Sequence, residues 1–496
     1  MERQRLYIDG TWMEGTDKKT FPSINPATGE HLAARRDELA RVETMDMGKP
    51  LRESECDVDD AIHCFRYYAG LIRTPEGGCY EVNKGFGEMQ SYTAHEPIGV
   101  CALITPWNYP LLMGVWKIAP SLAAGNSIIY KPASNCVLTS VKLFEILEEA
   151  GIPKGAANLV LGPGGTVGDA LAESPDVDMV AFTGSTAVGQ SIMKKAAGNV
   201  KKVGLELEGK SPNIIFADTD LEAYVEWAMI GIFMNQGEIC SAGSRILVEE
   251  SIHDAFVNRL VERANAMTIG NPLNNPDIGA MVCEEQLKRV LAHCETGKKE
   301  GAKCLCGGER YTEGECAKGY FIRPTVFDAC TDDMTIVKEV IFGPVVTIQT
   351  FRTEEEAIRM ANNTNYGLAG GVQTRDGARA LRVVKELRAG ITWVNCYNPS
   401  FTEAPRGGYK MSGIGRELGI HGLEEYQEVK QINIALRPSR LVHELIKRRS
   451  ISAEGHSLCR GVFLRAADGV SRTVLSETGA GGYSSTYRPV LKFYRP

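Results

Sequence analysis

From Ile98 onward, short apolar runs alternate with helix-length amphipathic segments, and this alternation restricts the chain to parallel sheets with helices on both faces. "IGVCALI" (98–104), "NSIIYKP" (126–132), "NLVLG" and "DMVAF" (178–182) read as buried strands. "LTSVKLFEILEEAGIP" (138–153) reads as a helix capped by Thr139 or Ser140 and ended by Gly151 and Pro153. The segment 251–267 is amphipathic, with Ile252, Phe256 and Leu260 on one face and Asp254 in the first turn. The alternation resumes over 335–395, through "VVTIQTF", "EEEAIRMANN", "LAGGVQT", "RDGARALRVVKELRAG" and "ITWVN". The fold class is therefore α/β, two doubly wound parallel-sheet domains with a ligand crevice between them. Residues 1–235 and 236–426 are the expected domains.

The balance of charge excludes several functions. A net charge of −7 argues against a general nucleic-acid binder. No apolar run has the length of a membrane span, and the N-terminus lacks the apolar core of a secretory signal. Fourteen cysteines form no paired C-x-x-C set, and Cys304 and Cys306 have no nearby histidine. These features read as a cytoplasmic chain with reduced thiols, no structural metal, and no membrane or nucleic-acid partner. Beyond Arg440 the text turns basic and rich in Gly and Ser, which reads as a mobile tail (441–496) or a basic interaction arm.

Four short stretches carry candidate chemistry. In "FMNQGEICSAGS" (233–244), Cys240 is either a small buried hydrophobe or a nucleophile. Gly237 before it, and Ser241, Ala242 and Gly243 after it, allow a substrate close to the backbone. In "GLELEGKSP" (204–212), Glu206 at a strand end is a general base or a salt-bridged carboxylate. In "TPWNYP" (105–110), Asn108 is an oxyanion donor or a turn former. In "FTGSTAVG" (182–189), Gly184, Ser185 and Gly189 open a helix as a pyrophosphate seat would, although the spacing is not the usual dinucleotide fingerprint.

In this order the four stretches resemble the NAD(P)-dependent aldehyde dehydrogenase family, over roughly residues 5 to 437. "PWNYPLLMGVWKIAPSLAAGN" and "SGIGRELGIHGLEEYQEVKQI" add to the resemblance, and "WVNCYNPSFTEAPRGGYKMSGIGRELG" is most similar to the betaine aldehyde (aminoaldehyde) branch. The resemblance implies that Cys240 attacks the aldehyde carbon, that Asn108 and the Cys240 N–H hold the oxyanion, and that Glu206 activates water to hydrolyse the thioester. It places NAD, or NADP, along Ile104, Trp107, Lys131, Ser134, Gly184, Ser185, Gly189 and Leu207. It also implies a homodimer or homotetramer, bridged by a hairpin near 85–97 and an oligomerisation strand within 427–440.

Departures from the family pattern sharpen the expectations. Glu208 stands where the family has the first of two glycines, and is expected to block the pocket or raise the pKa of Glu206. Val340 stands where a ribose-gripping carboxylate belongs, with Glu339 one place early and pointing the other way. Ser134 replaces a glutamate that repels a 2′-phosphate, and Glu238 replaces a common glutamine. The branch's aromatic box keeps Tyr109 and Trp116, while Met234 and Arg406 stand where further aromatics belong. Arg406 either repels a trimethylammonium group or turns to solvent. "NPATGEHLAARRDELARVETMDMGKP" (25–50) reads as spliced, lacking a few dozen residues and a helix, and both ends read as an altered frame. Two further readings stand beside an active dehydrogenase. One is a catalytically impaired homologue that keeps nucleotide or partner binding; the other is transfer of the thioester to coenzyme A, or esterase activity alone.

Overall fold

The computed structural model describes residues 5–13, 36–74, 77–82, 89–218 and 220–436. In chain order its strands are β1 (Leu6–Ile8), β2 (Thr11–Met13), β3 (Cys79–Val82), β4 (Met89–Pro97), β5 (Val100–Ile104), β6 (Ser127–Lys131), β7 (Ala157–Leu159), β8 (Met179–Thr183), β9 (Lys202–Glu206), β10 (Pro212–Ile215), β11 (Arg245–Glu249), β12 (Lys303–Cys306), β13 (Thr325–Asp328), β14 (Val345–Phe351), β15 (Ala369–Gln373), β16 (Ile391–Val394), β17 (Gly413–Ile414) and β18 (Gln427–Ala435). The helices that frame the site are α1 (Arg36–Met47), α2 (Leu51–Leu71), α3 (Pro110–Ala123), α4 (Leu138–Glu149), α5 (Asp169–Glu173), α6 (Thr186–Ala196) and α7 (Leu221–Phe233).

One sheet has the order β17-β9-β8-β5-β6-β7-β1-β2, and its inner strands β9 to β7 are parallel. Strands with helices on both faces need apolar residues at nearly every position, which is why "VCALI" and "MVAFT" do not alternate. After β5 the chain adds β6 and β7 on one side, then returns to add β8 and β9 on the other. The switch between β5 and β8 opens a crevice at the carboxyl ends of these strands. Leu103, Val115, Ile118, Ile128, Tyr130 and Phe144 form the core beneath it, with the Tyr130 and Phe144 rings stacked at 5.9 Å.

The second sheet has the order β12-β13-β14-β11-β10-β15-β16, parallel except at β12. Ile232, Phe233, Ile246, Val248, Phe256 and Leu260 pack on it, so the predicted face of the 251–267 segment is the buried one. The chain crosses between the sheets after Glu206 and before Pro212, whereas the sequence places the boundary at 235. The apolar run "SPNIIF" carries no mark of the sheet it joins. The chain later returns to the first sheet through β17, where Gly413 pairs with Glu206.

The α4 cap also differs from expectation. Asp46 of α1 accepts the Leu138 N–H at 2.9 Å, while Thr139 and Ser140 are buried in the helix body. A carboxylate 92 residues upstream outcompetes the local hydroxyls because the packing of α1 against α4 delivers it there. Residues 14–35 and 437–496 lie outside the described residues; they include 25–35 of the stretch read as spliced and the whole atypical tail. Arg36–Met47 of the former stretch is α1. A smaller unit comprises, among the described residues, 79–82, 89–91 and 433–436. In its described part β3 runs beside the start of β4, and the Gln90 amide donates to Cys79 Sγ at 3.2 Å. In the larger unit Lys430 of β18 pairs with Glu96 of β4.

Candidate active site

The loop that carries Cys240 is held in an unfavourable backbone shape. Asn235 (φ 49°), Gln236 (φ 52°) and Gly237 (φ 71°) lie consecutively in the left-handed region. Such residues cost about 1 kcal/mol or more each without glycine and persist only where surroundings enforce them. Here Glu53 accepts the Asn235 N–H at 2.8 Å, and the Asn235 carboxamide donates to the Asn108 carbonyl at 2.9 Å. A side chain at Gly237 would meet the Gly343 carbonyl at 2.2 Å. The loop delivers Cys240 partly exposed between the buried Ile239 and Ser241. Asn108 lies against the same loop, its Nδ2 donating to the Glu238 carbonyl at 2.8 Å. Glu238 is wholly buried, accepts the Val282 N–H at 3.2 Å, and has its pKa pushed well up by burial.

Glu206 ends β9 and points inward. Its Oε1 is buried without a hydrogen-bond partner among the described residues. Burial, then the Glu417 carboxylate, push its pKa well above the ordinary carboxyl range, against Lys117, Arg406 and Arg416. Lys117 is ion-paired with Glu417. A side chain at Gly209 would meet the Cys240 carbonyl at 2.7 Å, so the turn after Glu206 abuts the cysteine loop. Asn108 and the turn that follows Glu206 thus both lie against the loop that carries Cys240.

Arg406 does not turn to solvent. Its Nη2 donates to Ser241 Oγ at 3.0 Å and lies 4.0 Å from Cys240 Sγ, and its guanidinium carbon sits 5.5 Å from the Trp116 ring centroid. Reciprocal backbone hydrogen bonds with Glu417, both 2.7 Å, set that direction. Nearby is a cavity of about 560 Å³ lined by Tyr109, Met234 and Phe233, with Glu53, Asp57 and Asp60 on its wall. Tyr109 stands between the two places. Its hydroxyl pKa is raised well up by burial, then by Asp57, Glu53 and Cys240, and is drawn down by Arg406. Lys49 is buried with Glu43 and Asp57 and lies 4.2 Å from the Tyr109 ring centroid. The sequence reading missed this acidic wall. Its signal was available as Glu53, Asp57 and Asp60, four and three residues apart in α2.

The crevice residues line up at strand ends. Ile104 ends β5 and Lys131 ends β6; Gly184 and Ser185 follow β8, and Leu207 follows β9. Trp107 meets Phe342 edge-on at 5.3 Å. Ser134 Oγ donates to the Gly162 carbonyl at 2.8 Å. Lys131 is buried, its Nζ donates to the Pro132 carbonyl at 3.0 Å, and burial draws its pKa down. An ammonium so placed keeps donors to spare for ribose hydroxyls. A side chain at Gly189 would meet Leu207 Cδ2 at 2.6 Å, so only glycine lets α6 lie this close.

Glu208 departs from its expected role. Its Oε2 accepts the Thr186 N–H at 2.9 Å, at the first turn of α6, and the charge that most raises the Glu206 pKa is that of Glu417. Bonds from Leu207 N to the Ser412 carbonyl (2.9 Å) and from Ser412 Oγ to the Glu208 carbonyl (2.6 Å) aim the side chain there. Ser185 Oγ accepts the Val188 N–H at 3.5 Å. Glu339 does point away, its Oε2 3.4 Å from His293 Nε2, and Val340 is buried. The residues therefore fit a dinucleotide along its adenosine half, while a carboxylate already sits at the α6 N-terminus where a pyrophosphate would rest. Among the described residues no group of three or more His, Cys, Asp or Glu could hold a metal ion, and no helix is long and apolar enough to cross a membrane.

A parallel sheet with a glycine-led helix at its topological switch point is the arrangement of a dinucleotide-binding oxidoreductase. A model of the Aldehyde dehydrogenase family matches residues 12–432, and the chain belongs to that family. It is 50% identical over 483 residues to betaine aldehyde dehydrogenase of Bacillus subtilis, covering 88% of this chain and 98% of that one. It is 48% identical over 480 residues to the peroxisomal aminoaldehyde dehydrogenase 1 of Pisum sativum, covering 86% and 95%. It superposes on the crystal structure of Staphylococcus aureus betaine aldehyde dehydrogenase in complex with NAD+ with a TM-score of 0.85 and 40% identity, covering 88% and 95%. The 483 aligned positions exceed the residues that 88% of this chain supplies, so several dozen positions of the B. subtilis enzyme have no counterpart here.

Proposed function

We propose that the protein oxidises an aldehyde to a carboxylic acid with NAD, through a thioester on Cys240, and that its substrates are aldehydes bearing an amino group. The observation that supports the chemistry is that Asn108 and the turn after Glu206, whose Oε1 is buried without a hydrogen-bond partner among the described residues, both lie against the Cys240 loop. Cys240 Sγ, as the thiolate that the C–S cleavage regenerates at the end of each cycle, bonds to the carbonyl carbon, and the π electron pair moves to oxygen. The Cys240 N–H and the Asn108 Nδ2 hold that oxyanion. Bound NAD supplies the acceptor for the hydride that leaves the carbon. Glu206 takes a proton from water as the water attacks the thioester, the C–S bond breaks, and the acid leaves. Water, aldehyde and NAD+ give acid, NADH and a proton. Lys131, Ser185 and the Ile104 and Leu207 side chains support the cofactor.

The amino group is supported by the acidic wall beyond Tyr109. Glu53 has its pKa pushed up to about 7, by burial first and by Asp57 among nearby charges. It is neutral below that value and charged above it. KM for a cationic aldehyde is therefore expected to fall as pH rises through 7, and Glu53→Gln to flatten that change, as initial rates would show. The exposed Val429 on β18, at the edge of its sheet, supports a homo-oligomer. The first test is absorbance at the reduced nicotinamide band with NAD or NADP and a panel of amino-, trimethylammonium and aliphatic aldehydes, on protein sized by gel filtration. Absence of NADH with every aldehyde would refute the dehydrogenase reading.

A further inference from the structure

Resting on that reading, we propose that Arg406 makes the site a gauge of charge position. It admits aldehydes whose positive charge lies several methylenes from the carbonyl and rejects those that carry it on the adjacent carbon.

The carbonyl carbon must come within bonding distance of Cys240 Sγ, and Arg406 Nη2 lies 4.0 Å from that sulfur. In an α-ammonio aldehyde the nitrogen is two bonds, about 2.5 Å, from the carbonyl carbon. Its charge is thus forced into the neighbourhood of the guanidinium. The face of Trp116, on which a quaternary ammonium would rest, already carries the Arg406 guanidinium at 5.5 Å. Glu417 does not cancel that charge, because Lys117 engages its carboxylate. Burial, then the Glu417 carboxylate, shift Glu206 toward its neutral form. Like charges 4 Å apart cost roughly 5-fold in affinity at the dielectric of water, and roughly 1,000-fold at the effective dielectric of a protein surface.

The far end is acidic on balance: Glu53, Asp57, Asp60 and Asp277 line it with Arg52 and Arg263, of which Arg52 is ion-paired with Asp277 and Arg263 with Glu226. Tyr109 answers electrostatically to Cys240 and Arg406 on one side and to Asp57 and Glu53 on the other, and it lines the cavity that also exposes Asp60. Each methylene carries an extended chain about 1.25 Å further. Three methylenes take a terminal ammonium past Tyr109 and away from Arg406, toward the carboxylates. Met234 at this wall offers a flexible thioether along which a methylene chain can lie.

The test compares betaine aldehyde, 3-aminopropanal, 4-aminobutanal and 5-aminopentanal on the wild type, Arg406→Trp, Arg406→Gln and Arg406→Lys, with thermal melting to confirm folding. In the wild type kcat/KM is expected to rise along the aminoaldehyde ladder, and for 4-aminobutanal to exceed that for betaine aldehyde by roughly 50-fold or more. Arg406→Trp and Arg406→Gln should each narrow that ratio at least about tenfold, and Arg406→Lys should keep it. Equal use of betaine aldehyde by the wild type, or an unchanged ratio in both neutral variants, would overturn the inference. A second arm needs no turnover: calorimetry with tetramethylammonium should show binding to Arg406→Trp and none to the wild type. If no aldehyde yields NADH, the dehydrogenase reading fails by itself. The calorimetric arm then still decides this inference, equal binding to both proteins overturning it.

Discussion

Glu206→Gln should release one equivalent of NADH per site at nearly the wild-type rate and then slow by about 10²–10⁴. The first half of the reaction needs Cys240, the oxyanion donors and bound NAD, whereas the second also needs a base for water. Glutamine keeps the shape of the side chain and removes the base, so the acyl group remains on sulfur. Cys240→Ala should instead give no burst, because no covalent bond forms. Rapid-mixing absorbance and the mass of the acylated protein distinguish the two. A Glu206→Gln variant with full steady-state turnover would sink the assignment of the base. The same substitution carries a stability signature. Burial and Glu417 raise the folded pKa of Glu206 above its ordinary value of 4.5. Its stabilising contribution is therefore fully present below that value and is lost as pH rises through the raised one. Melting scans should show the wild type losing stability toward alkaline pH more than Glu206→Gln does, and the steady-state rate of the wild type should rise over the same range.

The second large effect concerns Glu208. Its carboxylate takes the Thr186 N–H, so a pyrophosphate must displace it and then lie beside its charge. Helix-end contacts of this kind contribute about 0.3–1 kcal/mol, and repulsion between unit charges near 4 Å adds about 1–4 kcal/mol. Glu208→Gly is expected to tighten NAD binding by about 10- to 100-fold, and Glu208→Gln by less, because it removes the charge and leaves the bulk. Titration calorimetry without substrate reads this directly. The variant should also melt slightly lower, since α6 loses an N-terminal partner. Unchanged NAD affinity in Glu208→Gly would show that the carboxylate swings out at no cost.

These two residues also show where sequence reasoning stops. The alternation after Ile98 was enough for two wound α/β layers, because strands buried on both faces must be apolar throughout and helices must repeat near 3.6 residues. The close approach of other chain to the Cys240 loop was legible from Gly237 and Gly243. The positions of Glu206 and Ser185, one ending and the other following a strand, were legible too. Even the outward turn of Glu339 followed from the alternation of side chains along extended chain, here in the loop after Thr335–Lys338 rather than in a strand.

The directions of Glu208, Arg406 and Glu417 were not legible. Glu208 reaches Thr186 only because Ser412 fixes its backbone, and Arg406 reaches Cys240, 166 residues away, only because Glu417 fixes its own. Asp46 caps α4 across 92 residues for the same reason. Local pattern determines which segments become strands and helices and which side chains can do chemistry. Charge acts over a few ångströms of space, whatever the separation along the chain. Which carboxylate raises the Glu206 pKa, and which cation meets the substrate, was therefore decided by the β9–β17 pairing and the packing around it, and by nothing shorter-ranged.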